Sequence, residues 1–383
     1  MSNSVKKAAS VIVFGKSVFL DSISSIPKRS NVGEKHLPPV DYKILVVKRS
    51  SKSSFMPNGI VFPGGIYHEA DACRDWLKLY REMNMCPSLK TSHLGTSTFL
   101  VEKKIRTNNA LCFSNHGDCL PSNVAFRITA IRELFEECGL LLAKKATVKI
   151  DKEGSNSGWS SFLHSHEILQ WQQRVQRNPR EFIKLCEEFM CVPDVWGLKD
   201  WSIWLTPKHL PSKRFDTTFF VAALNQIPPT VPDGKELSEL KWEAPDQLLD
   251  EYRSQGIWLP PPQCYELARI AKNFHQINQF LDYSKYWCGC PRWMPVGIKA
   301  ADGWVYVLPG DDMYPAEPDF FNVEDVKKEK NRSELQMAEL RNNCIRLHRM
   351  EIKDTYSVNI VISHNPSTDH VYPEQSFKKE SCL

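Results

Sequence analysis

The sequence predicts an α/β fold, an α/β/α sandwich around a mixed sheet. Three observations predict it: β-branched runs ahead of an acidic helix, further strand-like runs behind it, and helical patterns on either side of the later strands.

Residues 8–14 and 42–48 (YKILVVK) are short aliphatic, β-branched runs and read as strands, joined by a Ser, Pro and Lys rich surface loop. AASVIVFG follows Lys6 and Lys7 as a signal core would, but Lys16 interrupts it and no small-residue cleavage pattern follows, so it reads as a first strand. A short strand around 59–62 leads into Pro63-Gly64-Gly65, where paired glycines permit positive φ and close approach of backbone to a ligand. After Asp71, CRDWLKLYREM has a helical pattern, and the chain then turns rich in Ser, Thr and Asn. His93, His116 and Asp118 in that stretch meet no ligand spacing and read as surface residues.

The chain is organised around AFRITAIRELFEECGLLL, residues 125–142. At about 100° per residue, Val124, Ile128, Ile131, Phe135 and Cys138 fall on one side, and Glu133, Glu136 and Glu137 on the other. Like charges at these spacings repel by a few tenths of a kcal/mol per pair, so three of them invite a cation, and hard carboxylate oxygens suit Mg²⁺ or Mn²⁺. Taken alone, the same acids also suit a solvated helix face. Gly139 stands where a helix ends in a left-handed residue, and Ser122 after Pro121 is the expected N-cap.

Beyond it, GSNSGWSS at 154–161 reads as a joint, and helices are expected at 165–177 and 180–190, divided by Asn178-Pro179. Strands at 201–205, 215–224 and 237–242 precede helices at 246–254 and 263–274. Residues 276–383 form an α+β extension, with a helix at 323–343, whose VKKEK run is a solvated face, and a hairpin of 344–353 and 356–363. No internal repeat is evident.

FMPNGIVFPGGIYHEAD at 55–71 and RELFEECGL at 132–140 together resemble the Nudix box, G-x5-E-x7-R-E-U-x-E-E-x-G-U with U aliphatic. Gly65 matches the opening glycine, and the second half matches throughout. Two departures stand out. Asp71 replaces the first glutamate, which the family pairs with the box arginine, here Arg132; Asp is about 1.5 Å shorter and serves if the loop sits closer. Residues 72–131 stand where the pattern has seven, an insertion whose closure cost grows only logarithmically with length. The interrupted box, with FMP, VFPGG, Arg214 before FDTTFF, and LPPPQ at 259–263, is similar to the coenzyme A diphosphatase branch called Nudix-type motif 19. The resemblance covers roughly residues 8–275, with the insertion at about 72–124, and leaves 276–383 as an extension packed on that domain.

The resemblance implies hydrolysis of the diphosphate of coenzyme A or acyl-coenzyme A, with Glu133, Glu137 and Glu136 holding divalent ions and Arg132 orienting the carboxylates. Asp71 and Gly139 would support the box. Gly64 and Gly65, with Lys213 and Arg214, are candidates for substrate contact, as is Lys208, although these cations equally fit ordinary surface positions. Glu236 and Glu239 are candidate general bases. The alternatives are a Nudix hydrolase of another pyrophosphate, such as an RNA cap or nucleotide sugar, and a binding module without turnover.

Composition narrows the classes. A net charge of +4, from 49 basic and 45 acidic residues, argues against a nucleic-acid partner. Twelve cysteines lack metal-ligand spacing and read as reduced thiols. No run reaches the ~18 apolar residues of a transmembrane helix. The ending Ser381-Cys382-Leu383 departs from the peroxisomal Ser-Lys-Leu address only at its middle residue. Because the resembled family is peroxisomal, that destination and its import receptor are the expectation, with cytoplasm or mitochondrion the alternative.

Overall fold

The computed structural model describes residues 5–17, 40–85, 120–146, 158–208, 210, 213–234, 236–286, 290, 292–318, 334–364 and 371–373. His93, His116, Asp118, the VKKEK run and the C-terminal tripeptide therefore lie outside the described residues.

The first half contains β1 (Lys6–Lys16), β2 (Tyr42–Arg49), β3 (Ile60–Val61), β4 (Gly64–Ile66), α1 (Asp75–Glu82), α2 (Ser122–Cys138) and β5 (Ala143–Lys145). Then come α3 (His166–Gln170), α4 (Gln172–Arg177), α5 (Glu181–Glu188), β6 (Cys191–Pro193), β7 (Lys199–Leu205), β8 (Phe215–Leu224) and β9 (Leu237–Glu243). Helices α6 (Pro245–Arg253), α7 (Pro261–Asn273) and α8 (Ile277–Tyr286) follow, with β10 (Arg292–Trp293) completing the main sheet. The last elements are β11 (Val296–Ala300), β12 (Gly303–Val307), α9 (Met337–Asn342), β13 (His348–Asp354) and β14 (Ser357–Ile362).

The main sheet runs β10-β7-β8-β1-β2-β3, with β4 added to β1 and β9 to β2. It is mixed: β1 pairs with β8 in parallel and with β2 and β4 antiparallel. Strand residues alternate between its faces, as a period of two requires. Val11, Val13, Leu45, Val47, Phe220 and Ala222 enter one core with α2 and α5, whereas Ile12, Phe14, Ile44, Val46, Phe219 and Val221 enter a second core with α6, α7 and α8. The result is the expected α/β/α sandwich.

Strands β11 to β14 form a separate antiparallel sheet. Its Met350, Ile360 and Ile362 join the second core, where β14 packs against α7. Tyr265 Oη lies 2.8 Å from His348 Nε2, and Tyr252 Oη donates to Thr355 O at 3.2 Å, so polar ties accompany the apolar contact.

Several expectations are corrected. Pro121, not Ser122, is the N-cap of α2; its fixed φ of -54° suits that entry, and Ser122 becomes the first helical residue. The single helix expected at 165–177 is two, meeting at Trp171. Of the helix expected at 323–343, the described part is helical only over Met337–Asn342. The hairpin of β11 and β12 and the short strands β4, β5, β6 and β10 were not anticipated, because two to five residues carry too little periodicity.

Candidate active site

Strand β4 sets the glycine turn against β1, with Ala9 opposite Gly65 and Ser10 opposite Gly64. Val11 N donates to Pro63 O at 2.9 Å and Ser10 Oγ to the same oxygen at 2.8 Å, which pins the turn. A Cβ at Gly64 would meet Ala9 O and the Ser10 side chain, and one at Gly65 would collide with the Glu133 carboxylate. Both positions therefore need glycine for close approach. Gly64 N donates to Glu137 Oε2 at 2.9 Å, joining the turn to the acidic helix across 73 residues of sequence.

Asp71 and Arg132 meet despite the insertion. Arg132 Nε donates to Asp71 Oδ1 at 2.8 Å and its Nη2 to Asp71 Oδ2 at 3.0 Å, a bidentate pair. Thr129 Oγ1 and His68 N also donate to Asp71 Oδ2, at 2.8 and 3.1 Å. The pair is 1% and 2% exposed, so its charges are desolvated and survive by satisfying one another. The other edge of the guanidinium reaches Glu136 Oε1 at 2.7 Å, Glu133 Oε1 at 2.9 Å and Ile66 O at 3.1 Å. Arg132 thus orients two of the three glutamates and the turn together.

The end of α2 is held equally firmly. Gly139 has φ 65°, and its N–H closes the helix on Phe135 O. Val231 N and Asp233 N take the carbonyls of Cys138 and Glu137, and Gln172 Nε2 donates to Glu136 O at 3.0 Å and to Val231 O at 3.1 Å. Backbone groups that a helix end would leave unpaired are all bonded here.

Glu133, Glu136 and Glu137 line one wall of a polar cavity of about 430 Å³. Lys6, Arg49 and Lys213 bring positive charge to it, and Gly65, His68, Arg132 and Glu236 also face it. Glu136 and Glu137 are only 8% and 6% exposed, so the acids are not a solvated helix face. Burial raises all three carboxyls: Glu136 to about 7, and Glu137 well above the usual range, where the Glu133 charge adds to the effect and the Gly64 N–H opposes it. Groups whose charged forms are this disfavoured gain most from a neutralising ion.

The donors fit such an ion. They are hard carboxylate oxygens from one rigid helix, the set that divalent cations such as Mg²⁺ and Mn²⁺ prefer. Among the described residues, no three His, Cys, Asp or Glu side chains are already drawn together as ligands. Glu133 and Glu136 lie on Arg132 instead, and Glu137 on the Gly64 amide.

A second cavity, of about 190 Å³, adjoins the first and shares Arg49, Phe55, Phe215 and Thr217 with it. Its walls are apolar: Trp204, Leu205 and Phe219 from the main sheet, Pro261 and Pro262 from α7, and Pro295, Tyr306 and Met350 from the C-terminal part. Phe215, Thr217 and Phe219 are alternate residues of β8, which therefore presents one edge of its face to both cavities.

Of the expected substrate contacts, Gly65 and Lys213 line the polar cavity, while Gly64 does not and is tied to it only by the hydrogen bond from its N–H to Glu137. Arg214 does not line it. It is buried and donates from Nε to Thr206 O at 3.0 Å, fixing the start of β8, because it faces away from its neighbour Lys213. Lys208 and Glu239 are also absent from the lining, and Glu239 sits in the exposed part of β9 near Lys48. Glu236 is at the cavity, with its N–H capped by Asp233. Lys6 and Arg49 escaped notice, the only signal being their place at the ends of β1 and β2, and Phe55 entered only as the first residue of the FMPNGIVFPGGIYHEAD motif, with no contact assigned to it.

Among the described residues every cysteine is a free thiol, and no helix is long and apolar enough to cross a membrane.

The NUDT19 Nudix domain model matches residues 5–270, and the NUDT19 C-terminal domain model matches 297–363. Three proteins named acyl-coenzyme A diphosphatase NUDT19 are similar. That of Xenopus laevis is 38% identical over 345 residues, covering 87% of this chain and 86% of its own. That of Gallus gallus is 36% identical over 352 residues, covering 88% and 89%. The Homo sapiens protein is 32% identical over 387 residues and covers both chains fully.

Proposed function

Because the chain belongs to the Nudix hydrolase family, in its NUDT19 branch, we propose that it hydrolyses the diphosphate bond of coenzyme A and acyl-coenzyme A to 3′,5′-ADP and (acyl-)4′-phosphopantetheine. The observation that carries this reading is the junction of two cavities. One is polar, with carboxylates and cations for a diphosphate; the other is apolar, with room for a slender arm, and they share Arg49, Phe55, Phe215 and Thr217.

Nudix hydrolases use divalent metal ions, and we infer Mg²⁺ or Mn²⁺, held by Glu133, Glu137 and Glu136. When bound, such an ion offsets the charge of the diphosphate and acidifies the attacking water. The protein's own residues do the rest. Arg132, locked by Asp71, holds the carboxylates in place; Gly64 fixes Glu137. Lys6, Arg49 and Lys213 meet phosphate oxygens, and Glu236, in the lining of the same cavity, takes a proton from water.

The C-terminal Ser381-Cys382-Leu383 is proposed as a peroxisomal import address read by its receptor, supported by Lys378 and Lys379 just upstream. Deleting it from a fluorescent fusion should move the protein out of peroxisomes.

Incubation of purified protein with coenzyme A and Mg²⁺, with products identified by mass, tests the activity. Equimolar 3′,5′-ADP and 4′-phosphopantetheine are expected. Intact coenzyme A, alongside cleavage of another nucleotide diphosphate, would overturn the assignment.

A further inference from the structure

Gln263 stands in the apolar cavity, on the first turn of α7. It is 7% exposed, and its Oε1 carbonyl is buried with no hydrogen-bond donor among the described residues. An unsatisfied buried carbonyl is costly, and buried polar atoms without partners are few in folded proteins. Its neighbours in the cavity, Phe62, Trp204, Phe219, Pro261, Pro262 and Met350, make the contrast sharper. An apolar side chain would fill the same space without that penalty.

We propose that Gln263 determines specificity for the substrate's arm by accepting a hydrogen bond from an amide N–H of the pantetheine chain. This rests on the coenzyme A reading above and adds the residue that recognises the arm. Two facts select the occupant. The cavity adjoins the carboxylate-lined one, with Arg49, Phe55, Phe215 and Thr217 lining both, so a group attached to a diphosphate bound in the one lies next to the other. The wall is apolar apart from few polar groups, which suits a chain that is mostly methylene and methyl yet carries secondary amides. Sites built to hydrogen-bond one substrate group discriminate strongly against ligands lacking it, because the protein's own polar atom is then left unpaired.

The test uses the two halves of the substrate separately. Binding of 4′-phosphopantetheine and of 3′,5′-ADP to the full chain with Mg²⁺ is measured by calorimetry for wild type and Gln263→Met, which keeps the length of the side chain but removes its polar atoms. The expected result is about tenfold weaker 4′-phosphopantetheine binding, the size of one lost hydrogen bond, with the Kd of 3′,5′-ADP within twofold. Thermal unfolding gives an independent reading: without ligand, Gln263→Met should melt about 2 °C or more higher, since an unsatisfied carbonyl has gone. A role confined to holding the fold would lower Tm instead. Gln263→Asn, which withdraws the amide by one carbon, should weaken the arm's binding to an intermediate degree. Unchanged 4′-phosphopantetheine affinity in Gln263→Met, or equal losses for both halves, would overturn the inference. If wild type bound neither half and left coenzyme A intact, the substrate reading itself would fall; if it cleaved coenzyme A and the variants bound normally, only the role of Gln263 would.

Discussion

Gly65 illustrates how little room the site leaves at single residues. A methyl group there would strike the Glu133 carboxylate, so Gly65→Ala must displace either the turn or the acid. Displacements of about 1 Å can cost a hundredfold in rate, and kcat of this variant is expected to fall about tenfold to a hundredfold with Tm little changed. Titration makes a second prediction. Glu133, Glu136 and Glu137 are raised by burial, Glu136 to about 7, above the ~4.3 of an unfolded glutamate. A carboxyl whose folded pKa is raised stabilises the protein while protonated and ceases to do so as pH rises through the folded value. Metal-free protein should therefore lose stability between about pH 5 and 8, and saturating Mg²⁺ should remove that loss. Denaturant midpoints across this range, with chelator and with Mg²⁺, check it; a rise in metal-free stability with pH would contradict the burial argument. Residues also mark where sequence reading fails. Lys213 and Arg214 are adjacent basic residues beside the same strand, yet one lines the cavity and the other is buried against Thr206 O. Which of two neighbours points inward depends on strand register, and that depends on pairing with β1, a partner two hundred residues away.

At the scale of elements, α2 was the most legible part of the chain. Its apolar stripe, its closing glycine and the RELFEECGL run all lie where the residue pattern puts them. What the pattern could not give was that the opposite face is enclosed as well, because the enclosing groups come from β4, from Gln172 and from residues 231–233. The pairing of Asp71 with Arg132 was inferable only through the resemblance, since 61 residues separate them. Gln172 is the simplest probe of this enclosure. Gln172→Ala strands the Glu136 and Val231 carbonyls in a buried setting and is expected to destabilise the protein by about 1–3 kcal/mol in denaturant unfolding. A loss near zero would mean that the bonds from Gly139, Val231 and Asp233 suffice to hold the end of α2.

For the whole molecule, two layers of helices around one sheet bring both cavities to the same side of β8, and the C-terminal sheet closes the apolar one. That last contribution was hidden in the sequence. Short strands such as β11 and β12 carry no strong pattern, and Tyr306 and Met350 look like ordinary core residues until their position is known. A chain ending at residue 291 would lose Met350, Ile360 and Ile362 from the second core and uncover the apolar surface of α7 that β14 packs against. Such apolar exposure favours aggregation, so the truncated protein should fail to give a soluble, cooperatively unfolding monomer in calorimetry and size-exclusion chromatography. A stable truncated monomer would show that the two parts are energetically independent. The central claim is that the buried acids of α2 hold the divalent ion that serves diphosphate hydrolysis. Its most direct test is kcat for coenzyme A with Mg²⁺ in Glu137→Gln, an isosteric change that keeps an oxygen for the Gly64 amide and removes the charge. The account predicts a loss of about a hundredfold or more in a folded protein; turnover near the wild-type rate would contradict it.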